Sequence, residues 1–222
     1  MRKLFALIAL TSMALLSAQD WPQLQKYQSD NAKILDEKTP VKVVFMGNSI
    51  TQGWADMRPE FFKDHGFVGR GIGGQTTPQM LLRLRQDVLE LKPEAVVILA
   101  GINDIAQNTG PITLKETLGN IQSMAELALA HGINPIICSV LPANSFPWRP
   151  EIIPTQLVID LNSQLQRWAL EKNLVYVDFY TPMVDEKLGL KSHLGYDPVH
   201  PNVAGYQVME PILLKALNQL LK

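Results

Sequence analysis

Ala95 to Ala100, AVVILA, is an apolar run with no polar residue and no alternation. A half-buried strand would place a polar residue at every second position, so a run of this kind fits a strand covered on both faces, as in the centre of a parallel sheet. Val41 to Met46 has the same β-branched, apolar character, and Phe67-Val68-Gly69, Pro135 to Val140 and Leu174 to Asp178 are further strand segments. Between them the period changes to that of a helix. The faces are Leu81, Leu84, Val88 and Leu91; Leu114, Leu118, Ile121, Met124 and Ala128; Leu157, Leu161, Leu165 and Trp168; and Val208, Ile212, Ala216 and Leu220. Strands alternating with helices predict an α/β protein, with three αβα layers and a parallel sheet of about five strands. A further amphipathic helix is expected over Trp21 to Glu37, ending before Thr39-Pro40, where proline blocks its continuation.

The 222 residues suit one domain with a substantial core. Lysine and arginine (20) nearly balance aspartate and glutamate (21) and are interspersed, so no basic footprint points to nucleic acid. Met1 to Ala18 reads as a secretory signal: Arg2 and Lys3, an apolar run from Leu4 to Leu16, then small residues, too short for a comfortable membrane span. Its removal would leave residues 19–222 as a single exported domain, periplasmic or extracellular, with no stable membrane insertion and a formal net charge of −3 rather than −1. Cys138 is the one cysteine, which excludes an intrachain disulfide, and its apolar setting reads as a buried thiol. With no C-x-x-C, H-E-x-x-H or histidine cluster, neither a metal site nor a cofactor is expected.

The first strand stops at Gly47-Asn48-Ser49-Ile50-Thr51, the second at Gly71-Ile72-Gly73-Gly74-Gln75-Thr76-Thr77, and the third at Gly101-Ile102-Asn103-Asp104. A fourth motif, Asp197-Pro198-Val199-His200, follows the fifth strand. Parallel strands deliver their carboxyl ends to one edge of a sheet, so the four motifs should share one crevice. Acyl transfer needs such a set. Ser49 is the expected nucleophile, His200 the general base and then acid, and Asp197 the carboxylate that fixes the imidazole tautomer. The backbone N–H groups of Ser49 and Gly74 and the side-chain amide of Asn103 are the expected oxyanion donors. Each residue also has a plainer use. Asn48, Ser49 or Thr51 could cap the next helix, Gly74 could serve a turn, and Asn103-Asp104 could start a helix. His65 and His131 sit beside glycines as surface turn residues, His193 is a loop residue, and His200 alone has a carboxylate three positions before it at a strand-to-helix junction.

Gly69-Arg70-Gly71-Ile72-Gly73-Gly74 matches G-x-G-x-x-G literally, yet it follows the second strand, and the acidic residue about twenty positions on, Glu90, falls within a helix. The G-x-S-x-G elbow also fails, because Thr51 fills the last glycine position.

The four ordered blocks resemble those of the SGNH hydrolases, also called the GDSL family, over roughly Val41 to the C-terminus. The resemblance implies a flavodoxin-like sheet, a Ser49, Asp197 and His200 triad, and an oxyanion hole of Ser49, Gly74 and Asn103. Gly74 rather than Gly73 is chosen because the family glycine precedes an acidic or polar residue and then threonine, here Gln75-Thr76. Asn48 and Gln75 stand where many members have aspartate, departures that bear on loop packing. The exported form and the second block are similar to those of bacterial acetylesterases acting on carbohydrates and of the platelet-activating-factor acetylhydrolase type. The expected substrate is therefore a small-molecule or glycan ester with a short acyl group, with lysophospholipase or thioesterase action on longer chains as the alternative. Trp54, Trp148 and Arg149 are expected to wall the leaving-group side, since an aromatic ring with a fixed polar contact suits a sugar face.

Overall fold

The computed structural model describes residues 20–221, so the expected signal over Met1 to Ala18 lies outside the described residues. Five parallel strands, β1 (Val43–Gly47), β2 (Phe67–Gly71), β3 (Ala95–Leu99), β4 (Asn134–Cys138) and β5 (Val175–Val177), form one sheet in the order β2-β1-β3-β4-β5. The unbroken apolar runs occupy the middle: every residue of β1 and of β3 is buried. The helices are α1 (Gln28–Asp36), α2 (Ser49–Met57), α3 (Pro59–His65), α4 (Thr77–Leu84), α5 (Ile102–Ile105), α6 (Leu114–Ala130), α7 (Thr155–Glu171), α8 (Tyr180–Met183) and α9 (Val203–Leu220). Helices α4, α6 and α7 pack together on one face, while α2, α3 and α9 occupy the other, giving the three layers.

Because β2 and β3 flank β1 on opposite sides, the strand order reverses at β1, and the crevice opens beyond the ends of β1 and β3. In register, Gly47 of β1 lies between Gly71 and Leu99. Space there is so tight that a Cβ on Gly47 would stand 2.0 Å from Thr51 Oγ1 and 2.8 Å from the Leu99 carbonyl oxygen. The missing side chain is what lets the first turn of α2 fold back against the strand that leads into it.

Local details differ from the sequence reading where long-range partners intervene. The expected helix from Trp21 begins only at Gln28. Ahead of it the Asp20 carboxylate accepts the N–H groups of Leu24 and Gln25, and Gln23 adopts φ +55, so Asp20–Tyr27 runs as a turned strap. The helix after Pro78 passes into a π-helical turn over Arg85–Leu89. In α9 the fully buried apolar residues are Tyr206, Met209, Leu213 and Leu217, one position from the expected face, whose residues flank them half-buried.

Candidate active site

Helix α2 begins at Ser49, and the residue that caps it is Asn48, whose Oδ1 accepts the Ile50 N–H at 3.0 Å. The capping task thus falls to Asn48, and the Ser49 hydroxyl is free to face the crevice. His200 comes from a loop closed by an antiparallel bridge between Gly195 and Pro201 and by the Tyr196 N–H donating to the His200 carbonyl at 3.1 Å. Asn202, two residues on, caps α9 by accepting the Gly205 N–H. These local bonds fix where the imidazole leaves the backbone.

Ser49 Oγ lies 2.9 Å from His200 Nε2, and His200 Nδ1 lies 2.7 Å from Asp197 Oδ2. Asp197 Oδ1 accepts the N–H groups of Val199 and His200 at 2.7 and 2.8 Å. Burial alone would raise the Asp197 pKa; the Val199 and His200 amides, joined by the imidazole, outweigh it and hold the carboxyl below its usual range. A carboxylate ionised at neutral pH keeps the imidazole proton on Nδ1 and leaves Nε2 as the acceptor for the serine proton. Its stability contribution is complete above the ordinary carboxylate pKa and is lost as pH falls through its lowered value.

Gly74 adopts φ +75, a left-handed conformation that glycine takes without the steric cost of a Cβ. Neither its N–H nor that of Ser49 donates to another protein group among the described residues. The Asn103 amide donates one N–H to the Gln75 carbonyl at 3.0 Å, which orients the group and leaves its second N–H available. Ser49, Gly74, Asn103, Asn108, Trp148 and His200 line one open cleft of about 290 Å³. The structure therefore brings together Ser49, His200 and Asp197, and sets Gly74 and Asn103 on the same cleft as Ser49. A larger cleft of about 500 Å³ between α7 and β5 is lined by Ser163, Gln166, Arg167, Leu170, Leu174 and Tyr176, and pairs no base with its serine.

Trp148 lines the same cleft as Ser49. Its indole N–H donates to Asn108 Oδ1 at 3.0 Å, and the Asn108 amide donates to the Gly74 carbonyl at 3.2 Å, so the wall is tied to the loop carrying Gly74. Two expectations are corrected. Trp54 is fully buried, five residues along α2 from Ser49 and thus about 140° round the helix. It stacks between Phe61 and Tyr206 in the aromatic core and does not line the cleft. Arg149 does not line the cleft either; its guanidinium donates to the Gln107 carbonyl at 3.2 Å and faces Glu151 at 3.5 Å, bracing the loop that carries Trp148. Sequence reading passed over Asn108 and Tyr196. Tyr196 is exposed and stacks on His200, with 5.5 Å between centroids and 7° between planes. Its position next to Asp197 was the only available signal.

Asp104 joins the second and third motifs. Its carboxylate accepts the Thr77 hydroxyl at 2.6 Å and the Thr77 N–H at 3.0 Å. Burial pushes its pKa up to about 6, although the Thr77 hydroxyl and N–H pull the other way. A carboxyl whose folded pKa lies above its unfolded one stabilises the fold least when ionised, so its contribution falls as pH rises from about 4 to 6. The unfolding free energy of the wild type minus that of Asp104→Asn is expected to drop by roughly 3 kcal/mol across that window, read from urea titrations. A flat or rising difference would count against this assignment.

A serine, an imidazole and a carboxylate in hydrogen-bonded series, with unpaired N–H donors beside the hydroxyl, form the apparatus of a serine hydrolase on a three-layer α/β scaffold. Residues 45–208, more than half of the chain, match the GDSL-like lipase/acylhydrolase family, and the chain belongs to that family of esterases and acylhydrolases. The fold is similar to that of a protein from Bacteroides fragilis NCTC 9343 provisionally described as an acylhydrolase, with 44% sequence identity, a TM-score of 0.87, and 92% of this chain and 100% of that one covered. Among curated relatives, esterase TesA of Pseudomonas aeruginosa is 27% identical over 182 residues, covering 80% of this chain and 82% of its own. An acetylxylan esterase of Geobacillus stearothermophilus is 26% identical over 156 residues, covering 68% of this chain and 71% of its own. Among the described residues no helix is long and apolar enough to cross a membrane.

Proposed function

We propose that this protein is a serine esterase that removes short acyl groups, acetyl above all, from carbohydrate esters through an acyl-enzyme on Ser49. The observation that carries the reading is the Ser49 to His200 to Asp197 series opening on a small cleft, with Trp148 as its aromatic wall. His200 Nε2 takes the Ser49 proton as Oγ attacks the acyl carbon, and Asp197 stabilises the resulting imidazolium. The carbonyl oxygen, now negative, takes hydrogen bonds from the Ser49 and Gly74 N–H groups and from the free N–H of Asn103. One such donor is typically worth ~10²- to 10³-fold in rate. Collapse of the tetrahedral state breaks the ester C–O bond, and the leaving alkoxide receives the proton from His200. Water, deprotonated by the same nitrogen, then attacks the acyl-enzyme and releases the acid and Ser49.

A cleft this small and open suits a short acyl group, and the indole held by Asn108 offers a fixed flat surface to the alcohol side. The likeness to an acetylxylan esterase agrees with this direction. In the same reading the Met1 to Ala18 segment exports the enzyme to where glycan esters occur.

Trp148→Ala is expected to raise KM for acetylated xylan about fivefold while changing KM for nitrophenyl acetate less than twofold, since one stacked aromatic contact is worth about 1 kcal/mol. Acetate release and nitrophenol absorbance measure the two. Equal losses on both substrates would remove Trp148 from the leaving-group side. Release from no acetylated glycan at all, with nitrophenyl acetate still turned over, would overturn the carbohydrate assignment.

A further inference from the structure

The loop between β2 and α4 carries Gly74, and its fastening is unusual. Tyr27 of the N-terminal strap donates its hydroxyl to the Gly71 carbonyl, where the loop starts. Gln75 Nε2 donates to the Pro22 carbonyl at 2.8 Å, and Gln79 Nε2 donates to the Trp21 carbonyl at 2.7 Å. Farther along, Gln86 Nε2 donates to the Leu24 carbonyl at 2.6 Å. Three glutamines, from the second motif, its helix and the π-helical turn that follows, thus grip three carbonyls of the strap, those of Trp21, Pro22 and Leu24.

Gln75 is the junction. Its side-chain oxygen accepts the Nε–H of buried Arg83 at 2.6 Å, its side-chain nitrogen reaches the strap, and its backbone carbonyl accepts the Asn103 amide. Arg83 in turn donates to the Gly47 carbonyl at 2.9 Å, just ahead of Ser49. The side chain is 1% exposed, so each of its polar ends needs the partner it has.

We propose that the strap Asp20–Tyr27 is a positioning element of the active site, which acts through Gln75 to hold the carbonyl that aligns the Asn103 amide and the neighbouring Gly74 N–H. The inference rests on the reading of Ser49, Gly74 and Asn103 as catalytic. A glutamine is needed because it accepts from Arg83 at one end while donating to a carbonyl at the other; a carboxylate can do only the first. The catalytic consequence is selective. Misaligned donors weaken the tetrahedral state without affecting ground-state contacts, so kcat should fall at constant KM.

Gln75→Glu keeps the acceptor for Arg83 and sets a carboxylate oxygen against the Pro22 carbonyl. Gln79→Glu keeps the acceptor that caps Thr76 at 3.1 Å and sets a carboxylate oxygen against the Trp21 carbonyl. Gln86→Met frees the strap at its far end, away from the loop, and also removes the long 3.3 Å bond to Asp87, which keeps its closer donors Arg83 and Asn31. The expected result on nitrophenyl acetate is a kcat about tenfold lower in Gln75→Glu, a smaller loss in Gln79→Glu if the first variant does not fold, and KM within twofold throughout. Gln86→Met should lower the melting temperature with kcat unchanged. Amide hydrogen exchange of the peptide spanning 71–77 should quicken about tenfold in the two loop variants and stay at the wild-type rate in Gln86→Met. Unchanged exchange and kcat in a folded loop variant, or an equal kcat loss in Gln86→Met, would overturn the proposal. If the wild type shows no Ser49-dependent turnover, the functional reading fails instead, and exchange alone then decides whether the strap holds the loop.

Discussion

Ser49→Ala is expected to lower kcat on an activated acetate by about 10⁴- to 10⁶-fold, on the precedent of serine triads, with the melting temperature close to that of the wild type. The size follows from the geometry: without Oγ there is no acyl-enzyme, and His200 has no hydroxyl 2.9 Å away to activate. Residual hydrolysis would come from water acting in a cleft that still holds the oxyanion donors. The fold is insensitive because the first turn of α2 is capped by Asn48, and alanine is a good helix former at the next position. A loss below tenfold with the fold intact would remove Ser49 from the reaction.

Arg83→Met should cost about 3–5 kcal/mol of stability, the range for removing one partner of a buried ion pair. For a domain of this size that lowers the melting temperature by on the order of 10 °C. Arg83 and Asp87 are both buried, with Nη1 and Oδ2 2.9 Å apart. Burial draws the Arg83 pKa down, opposed by the bond to Asp87, and the guanidinium stays charged. Its fork donates to Asp87, Gln75 Oε1 and the Gly47 carbonyl together, which a methionine cannot do. Asp87 would keep only its amide donors, from Asn31 at 2.7 Å and Gln86 at 3.3 Å. Adding Asp87→Asn should recover part of the loss by removing the stranded charge. Calorimetric melting of the single and double variants tests this, and a single-variant shift within about 2 °C would contradict it.

What could be read from the sequence was whatever is local. The central strands were legible because burial on both faces leaves unbroken apolar runs, as in Val43–Gly47 and Ala95–Leu99. The Asp197 and His200 pair was legible because three residues and a proline turn bring the carboxylate to the ring. Trp54 falls in the core because five positions along a helix that turns about 100° per residue carry it round from the Ser49 side. The strap was invisible for the opposite reason. Gln75 and Pro22 are 53 positions apart, and a glutamine that grips a distant carbonyl looks like any polar loop residue. The π-helical turn after Leu84 interrupts a face whose spacing reads as one continuous helix.

The central claim, a short-chain esterase working through Ser49, is tested most directly by kcat/KM on nitrophenyl esters from acetate to decanoate for the wild type and Ser49→Ala. The account predicts a maximum at acetate, a steady decline as the chain lengthens, and loss of the whole series in the variant. A maximum at the long chains would contradict the short-acyl assignment, and equal turnover by the variant would contradict the role of Ser49 itself.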